Sequence, residues 1–173
     1  MPLGFSLLSH SPEATEHIGQ MLADCLHSGD ILTLDGDLGA GKTALTRGIA
    51  RGLGLTSHVA SPTFTIVMEH PAEQEGQLSL FHFDVYRLQS SDDFLDSGLD
   101  EYFYQDGVSV LEWGKMVADA LPKNILRISM HGSDETRKVE IIFPDARKED
   151  LDTLSAGLSE DEQITFLNEV KEC

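Results

Sequence analysis

Gly36-Asp37-Leu38-Gly39-Ala40-Gly41-Lys42-Thr43 fits the pattern G-x-x-x-x-G-K-[ST] at every fixed position. Small residues let the backbone curl so that successive N–H groups, from Asp37 through Gly41, point inward around a phosphate chain. The pattern predicts Lys42 on the β- and γ-phosphates and the Thr43 hydroxyl on Mg²⁺. Upstream, Ile31-Leu32-Thr33-Leu34-Asp35 is a short apolar run that predicts a strand entering the loop. Downstream, Leu45, Ile49 and Leu53 recur four apart, which predicts a helix over 44–53 ended by glycines. The positive end of that helix would face the same anion. Strand, loop and helix in this order define a nucleoside triphosphate site.

At 173 residues with 40% hydrophobic content, the chain suits one α/β domain with a sizeable core. No run approaches the ~18 apolar residues that a membrane span needs, and Met1 to His10 lacks the pattern of a secretory signal. Cys25 and Cys173 make neither a metal spacing nor a disulfide framework; they read as free thiols of a cytoplasmic protein. Cys25 falls on the apolar face of the first predicted helix. The formal charge is −18, with 30 acidic against 12 basic residues. Such a surface argues against gripping nucleic acid through its phosphates. It also sets Lys42, the loop amides and Mg²⁺ the task of overcoming repulsion of a polyanionic ligand.

Working outward from the loop, Ser11-Pro12-Glu13 predicts a helix start with Ser11 as N-cap, and Ile18, Met21, Leu22, Cys25 and Leu26 carry that helix toward Gly29. Residues 64–70 and 78–84 predict two strands joined as an antiparallel hairpin. Residues 90–106 read as helical in pieces, with Phe94, Leu95, Leu99, Tyr102 and Phe103 facing inward. A strand at 108–112, a short helix at 114–121 and closing strands at 125–130 and 139–143 follow. The tail from Asp145 has 9 acidic and 3 basic residues. Ile164, Leu167 and Val170 within it suggest an amphipathic helix.

A phosphate loop needs acids at the ends of neighbouring strands. Asp84 ends the run from Leu78, and Glu112 ends the run from Val108, so both can reach the edge where ligands of open α/β sheets sit. Glu112 is the candidate Mg²⁺ ligand beside Thr43, with Asp84 as the second carboxylate, on the metal shell or on the hydrolytic water. Ser61, Thr63 and Thr65 lie where many nucleotidases carry a phosphate-sensing hydroxyl; Thr63 is the candidate, and Thr65 reads as an ordinary turn residue. Trp113, the only tryptophan, could lean over the site. His82 alternates with Phe81 and Phe83 and reads as outward-facing. No histidine pair has metal-ligand spacing.

Four segments together, Gly36–Thr43, Ser61-Pro-Thr-Phe-Thr65, His82-Phe-Asp-Val-Tyr-Arg-Leu88 and Leu111-Glu-Trp-Gly114, resemble the bacterial TsaE (YjeE-type) ATPase family in order and spacing, over about residues 10–143. The resemblance implies a three-layer α/β P-loop NTPase-like domain (1–145) with a mixed, partly antiparallel sheet; the acidic, partly helical tail (146–173) is read from its own composition and spacing and matches no segment of the family. The resemblance also implies an ATP- and Mg²⁺-dependent hydrolase of tRNA N6-threonylcarbamoyladenosine (t6A) biosynthesis. Such a protein would bind and reset the two other protein components of the t6A transferase complex, with weak ATPase activity that needs them. By motif position Lys42, Asp84 and Glu112 would be catalytic, and Thr43 and Glu112 would hold the metal. Trp113 would sit near the hydrolytic site, with Thr15 and Arg137 near the nucleotide. Arg137 stands in Glu135-Thr136-Arg137, where a Gly-Arg pair is commoner.

A small-molecule kinase and a module that holds nucleotide without turnover are the alternative readings. Between residues 52 and 114 the chain has one Lys or Arg, Arg87, and no evident lid, which counts against a kinase. The absence of Asp-x-x-Gly and Asn-Lys-x-Asp argues against a GTPase.

Overall fold

A computed structural model describes residues 3–132 and 135–171. Cys173 and residues 133 and 134 of the predicted turn lie outside them. Eight strands form one sheet in the order β3-β4-β5-β2-β6-β7-β1-β8. Its centre is parallel: β4 (Ser79–Asp84), β5 (Gly107–Glu112), β2 (Ile31–Gly36) and β6 (Leu126–His131) run together. Antiparallel strands flank them, β3 (Val67–His70) on one side and β7 (Arg137–Phe143), β1 (Leu3–Ser9) and β8 (Ile164–Lys171) on the other.

Two cores give the three layers. Helices α1 (Pro12–Ala23) and α2 (Lys42–Gly52), with α4 (Lys148–Leu158) further along, cover one face through Ile18, Leu22, Leu45, Ile49, Leu151 and Leu154. On the other face α3 (Ser91–Asp96) and two 3₁₀ segments, Leu99–Tyr104 and Gly114–Ala120, cover β4 and β5 through Phe83, Phe94 and Val117. The Phe83 ring meets Phe94 and Tyr102 at centroid distances of 6.1 and 5.5 Å. Fully burying each such side chain contributes about 1.5–3 kcal/mol.

The contact between α1 and α2 sets the phosphate loop's position. A Cβ on Gly48 would lie 2.0 Å from the Glu16 carbonyl, and one on Gly19 would lie 2.3 Å from that of Leu45. Only glycine lets the helices approach this closely. Glu16 then ties the pair at the surface through Arg47 at 2.9 Å and through Arg51. Ser11 caps α1 by accepting from Ala14 N at 3.0 Å, with Pro12 as the first helical residue.

Several local expectations need correction. Leu3–Ser9, given no element from sequence, is a strand between β7 and β8. Ile164, Leu167 and Val170 lie on β8, not on a helix; α4 is the tail's helical part, and β8 joins the acidic tail to the sheet. Helix α1 ends at Ala23, so Cys25 is buried in the turn beyond it. The strand over 64–70 begins only at Val67, because Ile66 has φ 68°. Leu95 is exposed.

Candidate active site

The parallel register brings the acids together. Asp84 and Glu112 are direct partners across β4 and β5, and Leu34, two residues before the loop, pairs with Glu112 across β2 and β5. Both carboxylates therefore stand at the carboxyl end of the sheet, beside the loop that leaves β2, where open α/β folds bind ligands.

Within the loop, Gly39 (φ 77°) and Gly41 (φ 98°) take the left-handed conformation that a tight phosphate loop requires, and Ala40 N donates to Asp37 O at 3.1 Å to close the turn. Gly41 caps α2 with no side chain, so the first helical N–H groups stay available to an anion. Lys42 opens the helix and is 7% exposed. Its ammonium donates to the carbonyls of Gly36 at 2.5 Å and Asp37 at 3.0 Å, and stands 4.3 Å from the Trp113 ring. Burial lowers its pKa against the opposing pull of Glu112, Asp84, Asp37 and Asp35.

Thr43 Oγ1 lies 3.5 Å from Glu112 Oε1. Ser61 bridges the acids, donating to Glu112 Oε2 at 3.0 Å and to Asp84 Oδ2 at 3.2 Å, and Thr63 donates to Ser61 at 3.3 Å. Asp84 Oδ1 accepts from Tyr86 N at 3.1 Å. Burial pushes the Glu112 carboxyl up, but His82, the Ser61 hydroxyl and the Lys42 ammonium outweigh it and hold the group below its ordinary value.

Trp113 has φ 63°, an outlying conformation for a bulky residue. Its backbone N–H donates to the Leu34 carbonyl at 2.9 Å, and its ring packs against Tyr86 at 4.9 Å. The strained turn after Glu112 thereby swings the indole over Lys42.

The resulting cleft, about 500 Å³, is lined by Leu38 through Thr43, Thr63, Asp84, Glu112 and Trp113. Asp37 contributes its carbonyl to Lys42. Thr15 and Arg137 are not among the lining residues: a Cβ on Gly41 would meet Thr15 Cγ2 and Arg137 Nε at 3.7 Å each, and the Thr15 hydroxyl is spent on Ser9 at 2.8 Å.

Sequence reasoning weighed Ser61 beside Thr63 but chose Thr63, and gave Tyr86 and Arg87 no role, although all three line the cleft. Their signal was position: Ser61 opens the segment before β3, and Tyr86 and Arg87 follow Asp84 directly. His82 corrects an outward reading. It is fully buried, with Nε2 3.7 Å from Glu112 Oε2, an electrostatic contact too long for a hydrogen bond. Neither ring nitrogen has a hydrogen-bond partner.

Parallel strand, glycine loop and capless helix beside two strand-end acids define the fold as that of a P-loop NTPase. A profile of the family described as "Threonylcarbamoyl adenosine biosynthesis protein TsaE" matches residues 9–139, and the chain belongs to that family. The Bacillus subtilis tRNA threonylcarbamoyladenosine biosynthesis protein TsaE is 45% identical over 130 residues, covering 75% of this chain and 79% of its own length. Its Treponema pallidum counterpart is 40% identical over 135 residues, covering 78% and 97%. The crystal structure of Bacillus subtilis YdiB is similar with a TM-score of 0.72 and 37% identity, over 92% of this chain and 96% of that one. Among the described residues no helix is long and apolar enough to cross a membrane.

Proposed function

We propose that this protein is a Mg²⁺-dependent ATPase of t6A biosynthesis. It binds and resets the complex that installs threonylcarbamoyl on adenosine 37 of tRNAs reading ANN codons, working in the cytoplasm with the two other protein components of that complex. One observation carries the reading: Thr43, Ser61, Asp84 and Glu112 converge at the mouth of the phosphate loop.

This donor set suits Mg²⁺, which takes oxygen ligands, keeps several waters and is held by one or two carboxylates plus substrate phosphates. Bound there, the ion would neutralise charge on the β- and γ-phosphates. Thr43 and Glu112 would hold it. Asp84, fixed by Ser61 and the Tyr86 amide, would orient water. Lys42 and the loop amides would bind the phosphates, and Trp113 would screen Lys42 from solvent.

A charge of −18 fits a subunit that leaves tRNA to its partners. The isolated protein is expected to bind tRNA weakly at physiological salt; tight, salt-sensitive binding would contradict this.

The test compares ATP and GTP hydrolysis by the chain alone and with the partner pair and tRNA. Partner-stimulated ATP turnover that disappears in Lys42→Ala and Glu112→Ala supports the reading. Partner-independent turnover counts against it, and rapid phosphate transfer to a metabolite would indicate a kinase.

A further inference from the structure

Lys42 and Arg87 are the only cations lining the cleft among the described residues, and the site as read above gives Arg87 no task. We propose that Arg87 acts in cis on the γ-phosphate, stabilising the charge that develops as it is transferred, and that Phe64 holds its guanidinium at the cleft rim beforehand. This rests on the reading of the cleft as an ATP hydrolysis site.

The backbone of Arg87 is fixed to the catalytic strands. Val85 N donates to Glu112 O at 3.2 Å, Leu88 N to Val85 O at 3.1 Å, and Tyr86 N to the Asp84 carboxylate at 3.1 Å. The side chain is free by comparison. It is exposed, and among the described residues no carboxylate pairs with it, although the chain carries 30 acids. Arg47, Arg51 and Arg147, by contrast, all sit on carboxylates. The partner Arg87 does have is the Phe64 ring, 4.7 Å from the guanidinium carbon. Phe64 is 84% exposed and belongs to the same loop as Ser61 and Thr63. A cation–π contact at so exposed a site is weak and easily exchanged for a phosphate.

Chemistry gives the guanidinium its use. In hydrolysis the water oxygen bonds to the γ-phosphorus as its bond to the bridging oxygen breaks, and the electron pair leaves on ADP. The water proton passes to Asp84 or Glu112. Negative charge moves onto the leaving and equatorial oxygens, where Lys42 is one point charge and a planar guanidinium could add two parallel donors.

The test uses Arg87→Ala, Arg87→Lys and Phe64→Ala in the full chain, with Mg²⁺. Calorimetry measures affinity for ADP and for ADP with aluminium fluoride, and partner-stimulated turnover is followed in parallel. Arg87→Ala is expected to leave ADP affinity within about threefold, weaken the fluoride complex at least about 30-fold, and lower kcat about 100-fold with KM little changed. Arg87→Lys should restore less than about a tenth of that loss. Phe64→Ala releases the guanidinium and tightens the fluoride complex; a loosened complex overturns the holding role. Equal losses for both ligands, or none for either, overturn the role of Arg87. The two readings fail separately: absent turnover with an intact Arg87-dependent preference for the fluoride complex sinks only the ATPase reading.

Discussion

Along β5 every residue from Gly107 to Glu112 is buried, whereas along β6 buried and half-buried residues alternate until the exposed His131. Strand β5 has a strand on each side and packed layers above and below. Strand β6 is where the sheet turns antiparallel, and one face loses its cover. The charged residues of the site follow this difference. Lys42, His82, Asp84 and Glu112 are all buried and cluster about the parallel strands β2, β4 and β5. From β7 to β8 the acids lie outside while Leu7, Val139, Ile141 and Phe143 pack inside. The parallel half buries the ionisable groups of the site among apolar residues such as Leu34, Phe83, Val110 and Leu111, whereas β7, β1 and β8 bury no ionisable side chain among the described residues.

The largest effects should break this division at the site. Lys42→Ala or Glu112→Ala should lower partner-stimulated turnover about 100- to 1,000-fold, as loss of a preorganised charge does, with a melting temperature close to the parent's. A large drop in melting temperature would mean that the site also supports the fold.

Next comes the other half. Leu7→Ala, in the fully buried middle of β1, should cost about 2–5 kcal/mol in denaturant titration and leave nucleotide affinity within about twofold. Coupled loss of affinity would show the halves to be one cooperative device. Ser11→Ala removes the α1 cap and should cost about 1 kcal/mol by the same measurement.

Asp35 gives the smallest and most discriminating effect. Burial raises its carboxyl pKa, only partly offset by the Lys115 amide at 3.1 Å and the charges of Lys115 and Lys42. A carboxyl raised in the folded state opposes folding when ionised, so its cost is full at neutral pH and fades as pH falls through the raised value to the unfolded one. Asp35→Asn, which can keep the Lys115 contact, should therefore raise the melting temperature slightly at pH 7, with the gain shrinking toward pH 4. A gain that grew at low pH would reverse the assignment.

The site was legible where chemistry is local. The loop spans eight consecutive residues, and Asp84 and Glu112 each end an apolar run, so strand direction alone brings them to one edge. His82 was not legible, because alternation fails on a strand covered on both faces: Phe81, His82 and Phe83 are all buried. Tail residues 164, 167 and 170 have helical spacing, yet a bulge opposite Ser6/Leu7 shifts the register of β8, whose Phe166 packs on Phe5 at 5.2 Å. Nothing near either chain end announces that β1 and β8 will pair, since that contact spans nearly the whole sequence.

Trp113 has a practical consequence. As the chain's single indole it supplies the tryptophan emission, and it sits 4.3 Å from the Lys42 ammonium. Phosphates that draw Lys42 off the Gly36 and Asp37 carbonyls would change the charge above that ring. Fluorescence excited near 295 nm should therefore follow nucleotide arrival in the untagged, unlabelled protein, with Lys42→Ala as its silent control.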